Sequence, residues 1–134
     1  MVETKTTQDI PKGNETMLFV DDEISIVKMV KRMFERLGYK VETATTPQDA
    51  LEQFRSKPDH FDLVITDMTM PQMTGVILSE KLMDIREDIP IIICTGHSAL
   101  VDEEKAKELN LAAFIMKPID MQETAQTIRK VLDK

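Results

Sequence analysis

Five polar side chains in this sequence stand at the ends of short apolar runs: Asp21 and Asp22 after Met17–Val20, Asp67 after Leu63–Ile65, Thr95 after Ile91–Cys94, and Lys117 after Ala112–Met116. Three carboxylates brought together repel one another and push up their own pKa values unless a divalent cation and an ammonium offset them. Oxygen-only donors favour Mg²⁺, which keeps several waters and takes one or two carboxylates plus a phosphate. A lysine and a threonine hydroxyl facing such acids supply donors for the remaining phosphoryl oxygens. The set suits an aspartate that accepts a phosphoryl group, because carboxylates act as covalent nucleophiles and phosphoryl transfer is mostly positioning plus charge neutralisation.

Taken singly, each residue has a plainer role. Asp67 can cap the turn that leads to Pro71. Asp21, Asp22 and Glu23 can cap a helix N-terminus, which explains one acid better than three. Thr95 alone reads as a loop cap and Lys117 as a solvated charge. Co-occurrence at successive run ends is what lifts them together.

The elements that must position these residues alternate. Met17–Val20 is a strand. Ile24, Ile26, Val27, Val30, Met33, Phe34 and Leu37 recur at helical spacing, and Gly38 suits the left-handed position after a helix. Tyr39–Ala44 alternates like a strand. Thr46, Pro47 and Asp49 form a helix-start signal with an acid that can reach back, Ala50, Leu51 and Phe54 give the core face, and Pro58 ends the helix. Phe61–Asp67 is a strand whose Leu-Val-Ile run suits burial on both faces. A helix through Val76, Leu78, Leu82, Met83 and Ile85 follows, then strand Ile91–Cys94, a more polar helix over Ala99–Leu109 stopped by Asn110, strand Ala112–Met116, and a last helix carrying Met121, Ala125, Ile128 and Leu132. About five strand–helix units with short loops imply a parallel sheet covered by helices on both faces, whose strand ends share one edge.

Composition sets the remaining bounds. The 134 residues hold one domain, expected over 16–134, with 1–15 a polar, flexible lead-in or linker remnant. A net charge of −7 with scattered Lys and Arg argues against a bare nucleic-acid-binding module. No apolar run approaches the ~20 residues that cross a bilayer, and Met1–Lys12 lacks the apolar centre of a signal peptide, so the expected compartment is the cytoplasm. The single cysteine, Cys94, reads as a small buried hydrophobe. Met68, Met70 and Met73 read as packing, and His60 as surface.

The chain resembles a response-regulator receiver domain of two-component signalling over roughly Thr16 to Leu132. The resemblance rests on Phe19-Val20-Asp21-Asp22-Glu23, on Val64-Ile65-Thr66-Asp67-Met68-Thr69-Met70-Pro71 with Gly75, on Cys94-Thr95-Gly96, and on Met116-Lys117-Pro118. It implies an α/β fold, a flavodoxin-like doubly wound sheet of five parallel strands in the order 2-1-3-4-5. It implies Asp67 as the phosphoacceptor, attacking a phosphohistidine. Asp22 would bind Mg²⁺ directly, Asp21 through a water, and the Thr69 backbone carbonyl would be a further ligand. Lys117 would pair with the phosphoryl group, and its bond to Pro118 would be cis. Thr95 would move to the phosphoryl oxygen and Phe114 would turn inward as the switch aromatic, helped by the small Gly96. Alone, Phe114 reads as a core residue. His97 and Thr69 stand where the family varies phosphate lifetime, although an exposed loop histidine is the plainer role for His97.

The implied partner is a histidine kinase or a histidine phosphotransfer domain, in the same polypeptide where the receiver is the C-terminal part of a hybrid sensor histidine kinase. The Gly13-Asn14-Glu15-Thr16 lead-in resembles linkers of that kind. A receiver catalyses its own phosphorylation and dephosphorylation, has no direct contact with nucleic acid or membrane, and in some settings dimerises on phosphorylation. Two rivals are weaker. A haloacid-dehalogenase-type phosphatase needs a second acid two residues after Asp67, where Thr69 stands. A flavodoxin-like cofactor binder needs a hydroxyl- and glycine-rich phosphate loop after the first strand, where Asp21-Asp22-Glu23 would repel phosphate.

Overall fold

The computed structural model describes residues 10–96 and 103–133. Ten elements alternate: β1 (Thr16–Val20), α1 (Ile24–Arg36), β2 (Lys40–Ala44), α2 (Pro47–Ser56), β3 (Leu63–Asp67), α3 (Gly75–Ile85), β4 (Ile91–Thr95), α4 (Glu103–Glu108), β5 (Ala113–Met116) and α5 (Met121–Leu132). All pairings are parallel, and the order is β2-β1-β3-β4-β5, as the resemblance implied. The helix expected over Ala99–Leu109 is described from Glu103. His97 lies outside the described residues.

The period of two along each strand divides the core. Leu18, Val20, Val64, Ile91 and Ile93 face α2 and α3, where Ala50, Leu51, Phe54, Leu78 and Leu82 cover them. Met17, Phe19, Leu63, Ile65, Ile92 and Cys94 face α1 and α5, under Val27, Val30, Phe34, Ala125 and Ile128. Strands β1, β3 and β4 are buried along their whole lengths. Each large apolar side chain so buried contributes about 1.5–3 kcal/mol. Met70 is buried, and Met68 and Met73 pack partly against the first cluster, so the methionines do fill core gaps. His60 is surface-exposed, edge-on to Phe61 and paired with Glu42.

Local chemistry sets the element ends. Thr46 Oγ1 accepts from the Asp49 amide at 3.0 Å with Pro47 in the first turn, and Thr74 Oγ1 accepts from the Ile77 amide at 3.2 Å. The Asp49 carboxylate does not reach back; it accepts from Gln53 Nε2 one turn on, at 3.2 Å. Gly38 at φ 102° and Asn110 at φ 60° supply the left-handed stops after α1 and α4. On the sheet rim at β2 the Val41 and Thr43 carbonyls accept from Lys31 Nζ (3.0 Å) and Gln53 Nε2 (2.8 Å).

Residues 10–15 of the polar lead-in lie against the domain. Ile10 packs partly on the α1/α5 cluster, the Gly13 amide donates to the Leu37 carbonyl at 3.1 Å, and the Glu15 carbonyl accepts from the Lys40 amide at 3.0 Å. Among the described residues, no helix is long and apolar enough to cross a membrane.

Candidate functional site

The short loops place the C-terminal ends of β1, β3, β4 and β5 along one edge of the sheet. Asp67 and Thr95 are the final residues of their strands, paired across the ladder with Cys94 and Met116. Thr95, expected in the loop after β4, is in the sheet and 1% exposed. Asp21 and Asp22 follow β1 directly, and Lys117 follows β5.

These ends converge. One oxygen from each of Asp21, Asp22 and Asp67 lies within 4.8 Å of the others. Lys117 Nζ stands 3.0 Å from Asp67 Oδ1 and 3.3 Å from Asp21 Oδ2, so one ammonium bridges two strands. Asp21 is 0% exposed and also accepts from the Glu23 amide at 2.9 Å, whereas Asp22 and Glu23 face solvent. The three consecutive acids are thus not equivalent: the buried Asp21 carries the lysine, and Asp22 stands exposed beside it.

Burial pushes the Asp67 carboxyl above the usual aspartate range; the Lys117 bond and charge pull it down, and Asp21 and Asp22 push it up. Burial alone would depress Lys117, but its bonds and charges with Asp67 and Asp21 outweigh that and hold it above the ordinary lysine value. Three acids facing one ammonium leave uncompensated negative charge in a largely buried pocket, and all donors are oxygens, so the residues present fit a divalent cation of the Mg²⁺ type.

The loop after Asp67 is tightly built. The Met68 amide donates to the Cys94 carbonyl at 2.8 Å and the Gly75 amide to the Met68 carbonyl at 2.7 Å. A Cβ on Gly75 would stand 2.5 Å from the Asp67 carbonyl oxygen, so only glycine lets α3 begin there. The sequence showed a glycine at this place without showing why. Thr69, the expected backbone ligand, is exposed on the same loop. Phe114 is half-buried against the α2/α3 cluster, neither fully core nor free, and Gly96 is exposed, with no described residue within 4 Å of where a Cβ would project. The Lys117 amide donates to the Thr95 carbonyl at 2.8 Å, and Lys117–Pro118 is cis, as the resemblance implied. Cys94 is buried among these groups with its thiol pushed up to about 12 by desolvation, so it is a hydrophobe and no nucleophile.

The family described as the response regulator receiver domain matches residues 17–129. The chain belongs to that family. As a receiver domain it is a phosphoacceptor module of two-component signalling, in a family that uses Mg²⁺ at this acidic pocket. The receiver is similar to sporulation initiation phosphotransferase F of Bacillus subtilis, 32% identical over 120 residues that cover 89% of this chain and 94% of that protein. It superposes on a response regulator receiver domain protein from Clostridium thermocellum with a TM-score of 0.82 at 28% identity, covering 89% of this chain and 94% of that one. It also superposes on the response regulator TrrA from Thermotoga maritima, solved in complex with Mg(2+)-BeF, with a TM-score of 0.77 at 27% identity over 88% of this chain and 99% of that one. The receiver spans about a quarter of the length of several transcriptional regulatory proteins that it matches, 27% of one that is 31% identical over 121 residues.

Proposed function

We propose that Asp67 takes the phosphoryl group from a phosphohistidine on a histidine kinase or phosphotransfer domain, in the cytoplasm, and that residues 16–134 are the unit that does so. An Asp67 carboxylate oxygen attacks phosphorus; the O–P bond forms as the N–P bond breaks, and the electron pair returns to the imidazole nitrogen, which takes a proton from solvent. Lys117 gives up one carboxylate contact to pair with a phosphoryl oxygen. The Thr95 hydroxyl donates to another. A Mg²⁺ held by Asp21, Asp22, Asp67 and the Thr69 carbonyl would neutralise charge on the transferring oxygens. As Thr95 shifts, Phe114 turns inward and the surface of α4, β5 and α5 changes, a two-state response biased by one added phosphate.

The observation that carries this reading is the Lys117 bridge between Asp21 and Asp67 with Asp22 alongside. Incubation with acetyl phosphate and Mg²⁺ followed by intact mass is expected to show one labile phosphoryl adduct. Chelator prevents it and Asp67→Asn abolishes it; an adduct that survives either change overturns the assignment.

A further inference from the structure

The acid pocket leaves unexplained a second charged cluster at the opposite edge of the sheet, where β1 begins and α5 ends. There the Arg129 guanidinium reaches out of α5 to residues more than a hundred positions away: Nη1 donates to Glu15 Oε1 at 3.0 Å and to the Lys12 carbonyl at 3.2 Å, and Nη2 to the second Glu15 oxygen. Nη2 also bonds Asp133 one turn on, at 3.1 Å, and the guanidinium carbon lies 5.9 Å from the Tyr39 ring centroid. The lead-in crosses the α1–β2 turn by contact between two glycines. A Cβ on Gly13 would stand 2.4 Å from both Tyr39 Cε1 and Arg129 Nη1, and one on Gly38 would stand 2.3 Å from the Gly13 carbonyl oxygen.

This closure is not fully satisfied. Tyr39 Oη and Arg129 Nε are buried without a well-aligned hydrogen-bond partner among the described residues, the phenol keeping only an imperfect contact with the guanidinium beside it. Each forfeits a bond to water for as long as the lead-in covers it. Opening would return both atoms to solvent and would leave Arg129 its bond to Asp133. The ion pair with Glu15, together with the Lys12 carbonyl and the Gly13–Leu37 bond, therefore holds the strap closed against two desolvated donors.

We propose that residues 10–15 are a releasable strap, locked by Glu15 on Arg129, which couples the chain upstream of β1 to α5 and uncovers the Tyr39–Arg129 surface when it opens. The lock is an ion pair at part-exposed groups, so salt weakens it while the apolar core is unaffected.

The chain reports on the strap itself, because Tyr39 is its one tyrosine and it has no tryptophan. Tyrosine fluorescence of the full chain under acrylamide quenching, with hydrogen exchange at the Gly13 amide, tests the proposal. At low salt the wild type is expected to shield Tyr39 and protect Gly13. Glu15→Gln, or about 1 M salt, is expected to raise both quenching and Gly13 exchange several-fold, with β3 and β4 amides unchanged. Gly13→Ala opens the strap by sterics and is expected to give the same signature. The proposal is overturned if Gly13 exchanges at the free-peptide rate in the wild type, or if Glu15→Gln leaves quenching and exchange where they were.

Discussion

The carbonyl oxygen of Asp67 occupies the space that a side chain on Gly75 would need, 2.5 Å from where its Cβ would stand. The residue at the centre of the pocket and the first residue of α3 are therefore fixed by the same contact. Gly75→Ala is expected to destabilise the fold by about 1–3 kcal/mol through overpacking against backbone. It is also expected to slow labelling by acetyl phosphate, since the Asp67 carbonyl must shift. Denaturant midpoints and labelling rates check the two effects separately; an unchanged midpoint would show that the loop yields freely.

Asp67 is held in its charged form against its environment. Its folded pKa is raised, so the cost falls on the fold above that pKa and is relieved as the carboxylate protonates. Asp67→Asn is expected to raise Tm by a few degrees at neutral pH without divalent cations. Adding Mg²⁺ is expected to raise the wild-type Tm as the site fills, and to raise that of Asp67→Asn or Asp22→Asn much less. Thermal scans with and without Mg²⁺ decide both points.

Lys117→Met removes the one cation that, among the described residues, is bonded to the buried Asp21 and Asp67. Breaking a buried pair on one side typically costs ~3–5 kcal/mol, because an uncompensated charge stays behind. A loss near that size is expected by chemical denaturation in chelator, with Mg²⁺ restoring part of it. No loss in chelator would mean that Asp21 and Asp67 are screened by solvent in a way that their burial contradicts.

The Arg129 bond holds the Glu15 carboxyl below the usual glutamate range. A depressed folded pKa contributes stability that is present above the unfolded value and is lost as pH falls through the folded one. Between about pH 5 and pH 3 the wild type is expected to lose more Tm than Glu15→Gln, the difference closing at the acid end. Parallel curves would remove Glu15 from the acid limb.

The parallel sheet and the gathering of Asp21, Asp22, Asp67 and Lys117 were legible in the chain, because apolar runs alternate with helical spacing and these runs end on polar residues, whereas the strand order came only with the family resemblance. Other features turn on distances that no pattern carries. Asp21 and Asp22 look alike in sequence, and only the fold buries one and exposes the other. The need for glycine at position 75 is a matter of where the backbone of Asp67 passes. Residues 10–15 carry one apolar anchor, Ile10, and are otherwise held by a guanidinium 114 residues from Glu15 and by backbone bonds, which no hydrophobic pattern announces.

The outward carbonyls of β2 are already taken by Lys31 and Gln53, one from each flanking helix. An unpaired rim is a template on which another molecule's strand can add and start a growing stack. Here both of those acceptors are already engaged from within, which leaves fewer free groups for a strand from another copy to pair with along β2. Lys31→Ala combined with Gln53→Ala would free both acceptors for such pairing.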